Sequence, residues 1–282
     1  MPTWNNVAII GVGLIGGSIG LALRERSLAA QITGIGRRDA SLKAALAHGC
    51  VTQTTTDLAA GVRQADLVIV CTPVDSIAYF VQQAAQHCAP NCLLTDAGST
   101  KEQIVRAIEA ANLKRPYVGS HPIAGSEKNG AEAATADLFN DRVTVVTPTT
   151  KTNPATTTTI KDFWQSLGSR VIEMSPADHD ALLARTSHLP HLIASTLAAA
   201  TPADDQTLSL TGAGWADTTR IAAGDPDIWR EIFLANRDAT WKALADFETL
   251  LKTWRDALHS ANGPQITALL QEGKRRRDAL GS

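Results

Sequence analysis

The sequence predicts an α/β fold: a doubly wound parallel sheet over residues 1–175, followed by an all-α domain over residues 176–282. Three observations predict it. In the first part short apolar runs alternate with amphipathic helical patterns, as parallel strands joined by helices do. A glycine-rich turn separates the first apolar run from the first helical pattern. After Pro176 the β-type runs stop and every apolar pattern has a helical period. A chain of 282 residues also suits two domains of roughly 100–200 residues each.

Asn6 to Ile10 reads as a buried strand and Leu14 to Arg26 as the helix that follows it. Gln31 to Ile35 is a second strand, with a helix around Ser41 to His48. Leu67 to Cys71 is a third, stopped by Thr72 and Pro73, and Asp75 to His87 is helical. Cys92 to Thr95 runs into the turn Asp96-Ala97-Gly98-Ser99, which opens another helix. Tyr117 to Ser120 and Val143 to Thr147 add two strands. The Thr-rich stretch Thr147 to Thr159 reads as a surface loop before a helix (Ile160 to Leu167) and a strand (Ser169 to Met174). Helices are expected near 177–200, 203–223, 226–256 and 262–279. Their apolar stripes, including Ile228, Phe233, Leu234, Trp241, Leu244 and Phe247, exceed what one small lobe buries, which points to a homodimer through this domain.

Composition narrows the function classes. With 26 basic and 28 acidic side chains, net charge −2, the chain has no global field for nucleic acid or an acidic membrane. No apolar run approaches the ~20 residues of a membrane span, and the first apolar stretch is too broken by glycines for a signal peptide. Cys50, Cys71, Cys88 and Cys92 form no C-x-x-C pair, which suits reduced thiols in a cytoplasmic enzyme. The basic end Lys274-Arg275-Arg276-Arg277 is a solvated helix terminus.

Gly11-Val12-Gly13-Leu14-Ile15-Gly16 fits G-x-G-x-x-G directly after a strand and before a helix. Gly11 permits the tight turn, Gly13 lets backbone approach a pyrophosphate and Gly16 lets helix and strand pack closely. The helix N-terminus, with Leu14 and Ile15, then faces the phosphates of a dinucleotide. Thr72 and Pro73 belong to the same cofactor-binding set. Where an NAD site would offer an acidic side chain, the chain has Gly36-Arg37-Arg38. Two guanidiniums there suit a 2′-phosphate, so NADP is expected over NAD. The alternative is that both arginines are solvated and Asp39 serves the ribose.

Ser99 lies at the carboxyl edge of the sheet, where ligands collect, and could equally cap a helix. His121 ends a strand, is followed by Pro122 and a polar turn containing Ser126 and Glu127, and shares that ligand edge, which makes it a candidate catalytic base. Ser187-His188-Leu189-Pro190-His191 puts two histidines on one face of a helix kinked by Pro190. With Asp178, His179 and Asp180 nearby, metal ligation is the rival reading of that pair, and no metal is expected. Arg220, in the segment Gly212 to Arg220 that also holds Asp217, is either a surface charge or a carboxylate clamp.

Taken together, G-x-G-L-I-G-G-S, D-A-G-S-T-K, G-S-H-P-I-A-G-S-E-K-N-G, S-H-L-P-H, D-T-T-R-I-A and D-P-D-I-W resemble the prephenate/arogenate dehydrogenase family of tyrosine biosynthesis, in that family's order. The resemblance implies a Rossmann-like N-terminal domain and a helical, homodimer-forming C-terminal one. It implies that His121 takes the proton of the substrate's ring hydroxyl, with Ser99 beside it and the nicotinamide. It implies that Arg220 binds a substrate carboxylate, that Asp217, Ser126 and Glu127 lie at the substrate pocket, and that Trp229 closes it. One of His188 and His191 faces substrate, and the sequence does not choose. Trp215-Ala216-Asp217 departs from an aromatic-Arg-Asp run common in the family. The length leaves no room for the regulatory domain or fused mutase of some relatives, so feedback through such a domain is not expected. The implied reaction is hydride transfer to NAD(P) with loss of CO2 from prephenate or arogenate. The rivals are a β-hydroxyacid or pyrroline-carboxylate type of dehydrogenase, which would share the glycine turn without needing His121, and a non-catalytic NADP sensor.

Overall fold

The computed structural model describes residues 3–125 and 129–281. They form two compact units, residues 1–236 and 237–282. The first is built on β1 (Trp4–Ile10), α1 (Leu14–Glu25), β2 (Ala29–Ile35), α2 (Asp39–Ala47), β3 (Gln53–Thr55), α3 (Leu58–Val62), β4 (Leu67–Val70), α4 (Val74–His87) and β5 (Leu93–Asp96). The five strands lie in the order β3-β2-β1-β4-β5, all parallel. Alternation along the central strands explains why helices cover both faces. Val7 and Ile9 of β1, with Leu67 and Ile69 of β4, enter one core together with Ile19, Phe163 and Trp164. Ala8 and Ile10, with Val68 and Val70, enter the other, against Ile77 and Val81 of α4.

After α5 (Glu102–Ala110) come β6 (Gly119–Pro122), β7 (Val143–Thr147), α6 (Pro154–Ser166) and β8 (Arg170–Glu173). A bridge between Leu94 and Tyr117 sets this segment beside β5. Unlike the first five strands, β6 runs antiparallel to β7, while β8 is parallel to β7. The Thr-rich stretch is shorter as a loop than its composition suggests. Asn153 accepts from the Ala155 N–H at 2.8 Å, Pro154 takes the first helical position, and Thr158 and Thr159 bond back to Pro154 and Ala155 carbonyls. The short edge strand β3 and helix α3 carried no sequence signal of their own.

The helices α7 (Pro176–Leu183) and α8 (Leu189–Ala200) are joined by a π-helical turn, Ala184–His188. The extra residue of that turn, next to Pro190, changes which side chains share a face. The expected helix at 203–223 is broken at Gly212 into α9 (Asp205–Ser209) and α10 (Ala213–Thr219), with a 3₁₀ turn Arg220–Ala223. Asn236 separates α11 (Pro226–Ala235) from α12 (Arg237–His259). The second unit is the contacting helix pair α12 and α13 (Gly263–Asp278). It leaves Trp241 72% exposed, with Leu250, Leu251, Leu258 and Leu270 also outward. Among the described residues no helix is long and apolar enough to cross a membrane.

Candidate active site

The glycine turn sits where the strand order reverses, between β1 and β4. Gly11 has φ +92°, and a Cβ there would approach the Cys71 carbonyl to 2.7 Å, so the end of β4 and the turn touch only because the side chain is absent. A Cβ on Gly16 would collide with Gly11 and Ile9, which is the close helix–strand packing expected. Gly13 meets nothing within 4 Å. It begins α1 with no side-chain cap and no acidic residue in the first turn. The free N–H groups of α1 therefore point at open space, which fits a dinucleotide's phosphates.

That space is one end of a cleft of about 790 Å³. Gly13, Leu14, Ile15, Thr72, Pro73 and Ser99 line it from the strand ends, and His121 from β6. Ser187, His191, Arg220 and Trp229 line it from the helices. The size is that of a pocket for a small organic ligand together with part of a cofactor. Ser99 does not cap α5. The backbone N–H groups of Lys101 and Glu102 donate instead to Asp180 of α7, at 2.8 and 2.9 Å.

Beneath the cleft lies a buried polar network. Asp96, fully buried at the end of β5, accepts from Lys101 Nζ, from the Tyr117 hydroxyl at 2.8 Å and from the Ser120 and Gly98 N–H groups. Such a pair survives burial because each remaining lone pair of the carboxylate finds a donor. His121 Nδ1 stands 2.8 Å from His179 Nε2, and His179 Nδ1 stands 2.7 Å from Asp180 Oδ1. Burial, then the neighbouring His179, Lys101 and His188, holds the His121 imidazole well below its ordinary range. Burial also lowers His179, although Asp180 opposes it. The two rings meet edge to face with centroids 5.0 Å apart.

The two histidines of the kinked helix have different surroundings. His191 lines the cleft and stacks on Trp229, centroids 3.5 Å apart and planes 13° from parallel, with Phe233 completing an aromatic wall. His188, 1% exposed, accepts at Nδ1 from the Asn236 amide at 3.1 Å, and burial pushes it down to about 4. The same amide donates to the Asp180 carbonyl at 2.8 Å. Arg220 lines the cleft just past α10, and Trp215 of α10 donates from Nε1 to Thr201 Oγ1 at the end of α8 at 3.0 Å.

Other sequence candidates lie elsewhere. Arg37, Arg38 and Asp39 are exposed at the start of α2, beyond the second strand. Asp217 is exposed on α10 and is not part of the cleft lining. Ser126 and Glu127 lie outside the described residues. Asp178 bonds locally to Ser175, so it joins neither His179 nor Asp180. Sequence reasoning missed Asp96, Lys101 and Asn236 as members of the network, and saw His179 and Asp180 only as possible metal ligands.

A nucleotide turn at a sheet's switch point, opening on a cleft with a neutral buried imidazole and a guanidinium, defines an NAD(P)-dependent oxidoreductase. Family models narrow this class. The nucleotide-binding domain of prephenate dehydrogenase matches residues 19–173 and the dimerization domain of prephenate dehydrogenase matches residues 175–272. A cyclohexadienyl dehydrogenase from Zymomonas mobilis is 31% identical over 99% of this chain and 97% of its own. The crystal structure of Aquifex aeolicus prephenate dehydrogenase in complex with hydroxyphenyl propionate and NAD+ superposes with TM-score 0.89 at 31% identity, covering 98% of each chain. Synechocystis arogenate dehydrogenase gives 0.83 at 27%, over 98% of this chain and 99% of that one. The chain belongs to the prephenate dehydrogenase family.

Proposed function

We propose that this chain oxidatively decarboxylates prephenate or arogenate, giving 4-hydroxyphenylpyruvate or tyrosine, in tyrosine biosynthesis. The single observation that carries the reading is that His121, Ser99 and Arg220 meet on one cleft with the uncapped N-terminus of α1. The family's known relatives support the same reaction.

The dinucleotide, when bound, supplies the acceptor for the hydride that leaves C4 of the ring. The chain's residues do the rest. His121, neutral because it is buried, takes the C4 hydroxyl proton. Arg220 holds a carboxylate of the substrate, and Ser99 lines the same cleft as His121 and Gly13. His191 is the substrate-side histidine of the pair, and it forms with Trp229 the wall against the ring. Ser126 and Glu127 are substrate-binding candidates by family resemblance, and so is Asp217, although it lies off the cleft lining. Loss of the ring carboxylate yields an aromatic phenol, so the protein's task is chiefly to position the reacting groups.

The cofactor of choice is NADP, on the two guanidiniums of Arg37 and Arg38, which stand where an NAD site offers an acidic side chain. The functional division is 1–175 for nucleotide and 176–282 for substrate and dimerisation. The homodimer forms through the helical part, whose exposed Trp241, Leu258 and Leu270 need a cover. The compartment is the cytoplasm, in keeping with four free cysteines.

The test crosses prephenate and arogenate with NAD and NADP and follows reduced-cofactor absorbance. Turnover is expected in at least one combination, fastest with NADP. Silence in all four, with dinucleotide binding intact, overturns the reading.

A further inference from the structure

The hydrogen-bond chain under the cleft has a direction, and the direction determines which nitrogen of His121 is free. Asp180 already accepts from two backbone N–H groups at the start of α5, and a carboxylate in that role is acceptor only. His179 Nδ1 must then donate to it. A neutral His179 consequently carries its lone pair on Nε2. The atom facing that lone pair at 2.8 Å is His121 Nδ1, which must be the N–H. The lone pair of His121 is left on Nε2, on a ring that lines the cleft. All three side chains are buried, so water does not compete for these bonds.

We propose that His179, anchored by Asp180, is a positioning residue for the reaction: it locks His121 in the tautomer with a basic Nε2 and shares the charge when that nitrogen is protonated. The proposal rests on the reading of His121 as the base. In the step, the substrate O–H bond breaks and a His121 Nε2–H bond forms. The resulting imidazolium donates its Nδ1–H to His179 Nε2. If that proton crosses, His121 becomes neutral as its Nε2–H tautomer and His179 becomes the imidazolium, paired with Asp180. No further acceptor is needed.

The surrounding charges bear on this balance. Lys101, in its pair with Asp96, approaches from the β5–α5 turn, and His188 from the π-helical turn. Lys101 opposes a second cation at His121. His188 is kept neutral, since Asn236 donates to its Nδ1. Asp180 is the carboxylate hydrogen-bonded to His179, and both it and Asp96 favour a cation on that ring.

The experiment compares His179→Leu, His179→Gln and His121→Asn in the full-length protein, each checked by thermal melting and dinucleotide Kd. His179→Leu removes the acceptor for His121 Nδ1–H, and kcat is expected to fall about 10–100-fold, the usual effect of losing the group that orients an imidazole, with KM and Kd within about twofold. His179→Gln offers a side-chain carbonyl in its place and is expected to recover part of that loss. In ¹⁵N-histidine NMR, with His121 assigned by its disappearance in His121→Asn, wild type is expected to show a protonated Nδ1 and an unprotonated Nε2. His179→Leu is expected to lose that preference. Wild-type kcat in folded His179→Leu, no advantage of Gln over Leu, or a protonated Nε2 in the wild type would each overturn the proposal. Wild-type turnover in His121→Asn would instead sink the reading of His121 as base, and the NMR arm would still decide the tautomer.

Discussion

In the proposed reaction the glycine turn and the histidine network have comparable tasks, holding a ligand and holding a base, and they are built by opposite means. The turn is six consecutive residues, and its geometry is made by what those residues lack: a Cβ at Gly11 and Gly16, and a cap on α1. The network draws Asp96, Lys101, His121, the adjacent His179 and Asp180, His188 and Asn236 from six segments of the chain, and its geometry is made by what each donates or accepts. A local device fails locally, whereas a network passes its faults along. The difference therefore predicts where damage spreads.

The largest effect is expected at the point where the two devices meet. His121→Asn should lower kcat by roughly 10²–10⁴-fold, the contribution of a positioned acid–base group, and leave dinucleotide Kd unchanged. Steady-state kinetics with a fluorescence titration of the cofactor checks both halves. A parallel loss of cofactor affinity would break the comparison, because it would tie the network to the turn.

Gly11→Ala should act in the other direction. The residue sits at φ +92° against the Cys71 carbonyl, so a side chain there costs roughly 1–3 kcal/mol in strain and displaces the turn from β4. Urea unfolding should show the loss, and dinucleotide Kd should rise while the ¹⁵N signals of His121 and His179 stay in place. Movement of those signals would mean that the turn is less local than its geometry implies.

The same contrast explains what could be read from the sequence. The sheet was legible because burial on both faces forces runs such as Val7 to Ile10 and Leu67 to Val70 to be continuously apolar. The turn was legible because its chemistry depends on spacing within one segment. Within the site, the strand-end position of His121 gave a usable signal, and Arg220 stood out only within a motif. Nothing in the chain near residue 236 says that an asparagine will bond to a histidine 48 residues earlier. The choice between His188 and His191 was equally hidden, since it depends on the π-helical turn that rotates one toward Asn236 and the other toward Trp229. The early start of α6 was missed for a smaller reason: capping by Asn153 outweighs the low helix propensity of the threonines.

A milder test uses pH. Burial lowers His121, His179, His188 and His191 in the folded chain, whereas the unfolded chain titrates near the reference value of about 6.5. Below that value the unfolded chain binds more protons, so the stability is complete above about pH 6.5 and is lost as the pH falls toward the folded values, about 4 for His188. Each group contributes at most roughly 1.4 kcal/mol per pH unit in that window. Urea midpoints at pH 7.5 and 5.5 should differ by more than one such group explains. A flat profile would show that the histidines accept protons within the fold and that the network does not hold them neutral.

The smallest effect belongs to the outer edge of the nucleotide site, where the sequence and the fold make different demands on the same residues. Arg37 and Arg38 are exposed, and among the described residues the cleft lining holds no acidic side chain. An exposed guanidinium contributes little to folding, because water screens it, so Arg37→Ala and Arg38→Ala should leave the melting temperature unchanged. Against a 2′-phosphate the same guanidinium makes a charge-assisted bond, and its loss should weaken NADP about tenfold, roughly 1.4 kcal/mol. NAD carries no 2′-phosphate and should be unaffected. The measurement is the ratio of kcat/KM for the two dinucleotides in each variant and in the double variant, at fixed low salt since screening weakens the contact. A fall in the NADP-to-NAD ratio places the arginines on the phosphate. An unchanged ratio returns them to solvent and gives the ribose to Asp39, the one acidic side chain at the start of α2.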